Sequence, residues 1–205
     1  QNFTSATDTY NTAVGYAAGN DVTTGTGNTL IGAAAGDVLT DGDSNVAVGL
    51  AALGSDTRGN FSVAIGVAAL NSSNTTNDTN MYNVAVGHHA GTAVTTGTHN
   101  TLIGGLAGDA ITTGASNVAV GYGALTTDDV GQWNVAIGRD ALSAQNIATA
   151  ANTYNTAVGG AAGGAVTTGV SNTLIGGLSG DALTDADQNV ALGYAALSSD
   201  TLGSN

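Results

Sequence analysis

The stretch Asn11-Thr12-Ala13-Val14-Gly15 returns 17 residues later as Asn28-Thr29-Leu30-Ile31-Gly32, and this recurrence decides the fold. The same five-residue signature begins again at Asn45, Ser62, Asn83, Asn100, Asn117, Asn134, Asn155, Asn172 and Asn189. Its closing glycines follow one another at spacings of 17, 17, 17 and 21 residues, and the pattern then starts over. Four coils therefore make a super-repeat of 72 residues. Finer features follow that longer period, since Thr-Leu-Ile-Gly occurs only in the second coil of each set, at Thr29, Thr101 and Thr173. Self-similarity at a fixed short period is the mark of a stacked architecture in which each unit touches only its neighbours.

Within a signature the side chains alternate between two faces, as a strand requires. Thr12 and Val14 are expected to line a narrow apolar interior that suits β-branched residues. Ala13 and Gly15 are expected on the opposite face, flat enough for another backbone to approach. Gly-bearing segments such as Thr24-Gly25 and Thr96-Gly97 supply the turns. A unit this short cannot bury its own apolar face, so the coils must stack, at about 4.8 Å each, to a length of roughly 50 Å. The repeated Asn residues then lie one above another, with amides placed to hydrogen-bond along the axis. The expected fold is all-β, a parallel β-solenoid (β-roll) of about eleven coils with 17, 17, 17 and 21 residues per super-repeat. It forms a single segment over 1–205, divided into a partial super-repeat 1–10, super-repeats 11–82 and 83–154, and a partial super-repeat 155–205.

Composition agrees with this reading. The chain of 205 residues holds 32 Gly, no Pro and no Cys; its acidic residues are all Asp, and its only basic ones are Arg58 and Arg139. Without Glu or Lys it lacks the usual surface-helix formers, whereas Gly, Thr, Asn and Asp favour turns and strands. A net charge of −13 with two Arg argues against nucleic acid and against an anionic membrane surface as partners. The lack of Cys removes disulfides and thiolate metal sites. No run of residues approaches the roughly 18 apolar positions of a membrane span. Both ends of the sequence fall inside coils, since 1–10 aligns with 145–154 and 199–201 aligns with 55–57. Open solenoid ends expose unpaired strands, so the expectation is a segment of a longer fibre or a subunit that stacks end to end.

The run Asn-Val-Ala-Val-Gly-x-x-Ala-Leu resembles two related groups of repeats. Ser62-Val63-Ala64-Ile65-Gly66 is similar to the short coils in the β-roll head of trimeric autotransporter adhesins. Asn11 to Gly19 is similar to the Asn-Thr-Ala-Val-Gly-Tyr-x-Ala-Gly repeats of phage tail-fibre proteins, and the longer coil here favours that group. The resemblance covers nearly the whole chain. It implies three chains packed as parallel rolls around a common axis, with the small Ala and Gly positions facing that axis, and a place on an extracellular or virion surface.

Few residues invite chemistry. With no Cys, Glu or Lys, a general acid and base would have to come from Asp alone or from an Asp–His pair, and no nucleophile motif recurs, so no enzyme activity is expected. His88, His89 and His99 are possible metal ligands in a trimer, but His88 stands where other super-repeats hold Tyr16 and Gly160, which reads as ordinary variation. Asp37, Asp41 and Asp43 recur as Asp181, Asp185 and Asp187, and clustered carboxylates suit Ca²⁺. The intervening copy keeps Asp109 but has Thr113 and Ala115, so a solvated acidic turn is the simpler reading, and no cofactor is assigned. Aromatics collect just before the signature, at Tyr10, Phe61, Tyr82, Trp133 and Tyr154, with His99 following Tyr82. They read first as a structural ladder beside the longer coil, and second as a platform on which Phe61, Tyr82, Trp133 and Tyr154 stack against sugar rings. Sequons stand at Asn2, Asn60, Asn71, Asn74 and Asn77, and matter only in a glycosylating secretory route.

The sequence thus leads to a structural fibre segment, a homotrimer from a viral tail fibre or surface adhesin that serves cell attachment, with a host-surface glycan as outside partner. Two other readings stay open: a self-assembling filament subunit, and a β-solenoid that binds ice or polysaccharide through one flat face. The absence of a Thr-x-Thr array on every coil counts against the last.

Overall fold

The computed structural model describes residues 9–75 and 77–203, so the alignment drawn over 1–8 and the sequon at Asn2 lie outside it. Eleven three-residue strands form one parallel sheet in strict chain order: Thr12–Val14, Thr29–Ile31, Val46–Val48, Val63–Ile65, Val84–Val86, Thr101–Ile103, Val118–Val120, Val135–Ile137, Thr156–Val158, Thr173–Ile175 and Val190–Leu192. Each pairs in register with the next, Thr12 with Thr29 and Val63 with Val84, so signatures sit directly above one another. This is the parallel β-solenoid that the recurrence calls for. Among the described residues there is no helix, and so none long and apolar enough to cross a membrane.

A second sheet marks one of the longer coils, where Gly59–Asn60 pairs in parallel with Thr79–Asn80. In the equivalent place further along, a single bridge joins Gln132 and Asn152.

The two faces of the strands are exchanged relative to expectation. The central residues Leu30, Ala47, Ala64, Ala85 and Leu102 are fully buried, whereas the flanking Thr, Val and Ile side chains point outward. The reason is volume. The interior is already filled from the turns, by Val22 and Leu39 in the first two coils and by Leu53 and Leu70 in the next two. Only one central side chain per strand fits between those layers. Leu30 occupies the space left by Gly19 and Gly36, where an added Cβ would lie 2.7 and 2.9 Å from its methyl carbons. Where the turn supplies Leu53 or Leu70, the strand supplies Ala47 or Ala64. That exchange explains why Leu enters the signature only in the second coil of each set.

The signature glycine is required by geometry. Along the column φ runs from +125 to +143°, and at Gly66 an added Cβ would stand 2.3 Å from the Gly87 carbonyl oxygen. Only a residue without Cβ satisfies both demands. The close approach is therefore to the next coil of the same chain, and the strand-centre Ala is buried in this chain's own core. Neither position faces a partner axis, which corrects the placement implied by the resemblance.

The signature Asn residues form a buried ladder, made differently from simple amide stacking. Each Asn Oδ1 accepts the backbone N–H of the next signature residue: Asn28 to Asn11 at 2.7 Å, Asn45 to Asn28 at 2.9 Å, Asn117 to Asn100 at 3.0 Å. Most Nδ2 groups donate across the coil to the turn carbonyl 14 residues on, Asn28 to Gly42 and Asn100 to Gly114. Asn134, Asn172 and Asn189 also bond amide to amide along the axis, onto Asn117, Asn155 and Asn172. Two obligatory backbone groups are thereby satisfied in most coils of the buried interior.

Candidate functional site

Without Cβ-free residues the turn before each signature would be strained, yet most coils place a side chain there. All eleven residues at this position have positive φ, among them Ser44 at 56°, Phe61 at 59°, Ser116 at 59°, Trp133 at 63° and Ser171 at 60°. Left-handed backbone costs a non-glycine residue roughly 1 kcal/mol, and the cost is the same in kind for Ser and Trp. The backbone sets the angle and leaves the side chain free.

Around the two longer coils that freedom is used for aromatic rings. Phe61 and Tyr82 stack in parallel, with centroids 5.3 Å apart and planes at 7°, and Tyr82 meets His99 at 5.4 Å and 33°. Trp133 and Tyr154 hold the matching positions 72 residues on, but make no ring–ring contact among the described residues. About half of each ring's side is open, Trp133 at 52% and Tyr154 at 53% exposure. Amide side chains flank both pairs. Asn152 donates to the Tyr154 hydroxyl at 2.9 Å, Asn80 to the Tyr82 hydroxyl at 3.4 Å, and Asn60 to Asn80 at 3.4 Å. The described surface carries no concave pocket, so any ligand here meets a flat one.

The Asp residues singled out in the sequence are used one by one. Asp41 accepts from Thr23 and Thr24 of the preceding coil and pairs with Arg58 at 3.3 Å. Asp43 accepts the backbone N–H and hydroxyl of Thr26, and Asp187 the backbone N–H of Val170. Asp185 accepts from its neighbour Thr184, Asp37 is half-buried, and Asp181 keeps one oxygen buried without a hydrogen-bond partner. Among the described residues no three such side chains come together to hold a metal ion. His88 and His89 face each other at 4.2 Å, away from His99, whose ring lies against Tyr82.

Two features escaped the sequence reading. One is a buried carboxylate in the third coil of the first two sets, Asp56 and Asp128 being essentially inaccessible, while their counterpart Asp200 is partly exposed. Asp56 accepts from the Gly59 N–H at 2.9 Å and the Ser73 hydroxyl at 2.9 Å; Asp128 accepts from the Gly131 N–H at 3.0 Å and from Gln145. Burial pushes the Asp128 carboxyl above its ordinary value, against the lowering effect of those hydrogen bonds. The signal was present: Asp-x-x-Gly recurs at Asp56, Asp128 and Asp200, in all three super-repeats, whereas the acidic turn recurs in two.

The other feature is the outward face of the sheet. Val and Ile alternate along it, and Ile65, Ile103, Ile137 and Ile175 each keep 37–39% of their surface exposed although packed between neighbours above and below. A continuous apolar strip therefore runs the length of the stack, covered by none of the described residues. Strips of this kind mark interaction surfaces. The chain matches no family model, no curated protein and no solved structure.

Proposed function

We propose that the chain is a structural segment of an extracellular fibre, a viral tail fibre or surface adhesin, that works as a homotrimer and serves attachment to a cell. The uncovered Val/Ile strip carries this reading. Covering the remaining surface of each outward Val or Ile stabilises an assembly by roughly 1–2 kcal/mol, and eleven strands contribute in parallel. A partner with the same 4.8 Å rise meets the strip along its full length, and a second and third copy of this chain have that rise by construction. The aromatic corners lie off the strip and stay available for attachment. The resemblance to adhesin heads and tail-fibre repeats points the same way.

Light scattering on the purified chain tests the proposal. The expected mass is three times the 19.7 kDa chain, and Ile65→Asp with Ile137→Asp is expected to release folded monomers. A long-lived wild-type monomer would sink the trimer, and growth into open polymers with concentration would favour the filament reading. The outward placement of Thr12, Thr29, Thr101, Thr156 and Thr173 on the same flat strip gives the ice- or polysaccharide-binding reading a specific footing. That reading requires the strip to be bare, so arrest of ice growth by a monomer would replace the trimer.

A further inference from the structure

We infer that the ring pair before the signature at the second longer coil, Trp133 with Tyr154, is a stacking platform for uncharged saccharides. The inference deepens the attachment reading and rests on it for its biological use.

Three observations support a ligand rather than a purely structural ladder. First, the backbone does not ask for aromatics, because Ser44, Ser116 and Ser171 adopt the same φ in the adjoining coils. Second, ring-on-ring packing accounts for Phe61, Tyr82 and His99 but not for Trp133 or Tyr154, whose rings stay half open without a ring contact among the described residues. Leaving two large apolar faces in water gives up stabilisation that a Ser would not forgo. Third, the groups beside the rings have the chemistry of sugar recognition. Asn152 already donates to the Tyr154 hydroxyl, so the platform offers an apolar ring face edged by amide and phenol groups. The C–H face of a pyranose packs on such a ring while its hydroxyls meet such an edge.

Charge selects the class of sugar. The whole chain carries −13 and only two Arg, and the one nearer to Trp133, Arg139, stands six residues beyond it in sequence. The residues neighbouring Trp133 and Tyr154 on their own and adjoining coils are Ala115, Ser116, Gln132, Asn152, Val170 and Ser171, all uncharged. A sialylated or sulfated glycan would meet net repulsion and no cation to pair with. An uncharged chain of hexose or N-acetylhexosamine units meets neither obstacle.

Trp133 is the only Trp, which makes its fluorescence a direct reporter. The intact protein is titrated with uncharged oligosaccharides built on glucose, galactose, mannose or N-acetylglucosamine, and with sialyllactose and a heparin hexasaccharide. We expect a saturable change with at least one uncharged probe, weakened at least about tenfold in Tyr154→Ser, with circular dichroism and mass unchanged. Isothermal titration of Trp133→Ser, which carries the residue natural to this position in neighbouring coils, is expected to show the same loss. No response to any uncharged probe up to about 10 mM overturns the inference, as does a response to the acidic probes alone or one that survives both Ser substitutions. Light scattering on the same sample keeps the two proposals apart: a trimer that binds no saccharide overturns only this one, and a monomer that binds overturns only the trimer.

Discussion

The two longer coils share a backbone and fill it in opposite ways. In the coil that runs past Asn134, the interior is a connected polar network. The Thr153 hydroxyl is shared between Asn134 Oδ1 at 2.6 Å and the Gln132 carbonyl at 2.9 Å, and Gln145 links Asp128 to the Asn155 amide. In the coil that runs past Ser62, the positions of Asn134, Gln145 and Thr153 are held by Ser62, Ser73 and Met81, and Thr75 stands where the other coil has the apolar Ile147. Met81 is fully buried, and its chain occupies the side where Asn134 and Thr153 would meet. The Ser62 and Thr75 hydroxyls are left buried without partners. The stack thus tolerates either a satisfied network or an apolar plug, and the second solution leaves two polar groups stranded.

The shared backbone is broken first. Gly66→Ala and Gly138→Ala each place a methyl within 2.3–2.6 Å of backbone atoms of the next coil, and both are expected to cost more than about 4 kcal/mol, read as lost cooperative melting. A clear inequality between them would show that the two coils do not share one backbone constraint. Next in size is the plug. Met81→Thr is expected to cost about 3 kcal/mol in denaturant unfolding, and Ser62→Asn added to it to recover a large part. Pure additivity would mean that the two positions do not replace each other. Smaller again, Thr75→Val removes a stranded hydroxyl and is expected to stabilise by about 1 kcal/mol, whereas Thr153→Val breaks a bond and is expected to cost about 1–2 kcal/mol.

The smallest effect is on pH dependence. Burial, the largest influence, raises the Asp128 carboxyl above 3.8, so the folded chain holds that proton more tightly than the unfolded one. Its contribution is full below the ordinary carboxylate range and is lost as pH rises through the raised value. Melting temperature measured from pH 3 to pH 7 is expected to lose that component in Asp128→Asn.

Much of the fold was legible because the recurrence is a statement about contacts: a residue every coil holds must meet its own copy above and below. Glycine spacing thus gave register, stacking and the Asn ladder. The inward face was misread because alternation says that two faces differ without saying which is inside. Leu30 opposite Gly19 and Gly36, and Ala47 beside Leu53, settle it only when strand and turn are seen to share one volume. The aromatic column was visible as a pattern, but its common positive φ and the differing ring contacts of Phe61 and Trp133 were not. Asp56 and Asp128 look like surface charges in isolation, and their burial follows from the three-residue turn each one closes onto Gly59 or Gly131.

The ladder stops at one rung. Asn45 reaches the backbone N–H of Ser62, but Ser62 has no amide to pass on, and the sequence of bonds resumes only with Asn83 and Asn100. Tension along the stack falls on every junction, and each pair of adjacent signatures is joined by the same three-residue strand register. Among the described residues the junction from Ser62 to Asn83 is thus the one between adjacent signatures without that amide bond. The parallel stack of Phe61 on Tyr82 crosses it instead, so under a pulling force the load carried elsewhere by a buried amide falls there on two half-exposed rings.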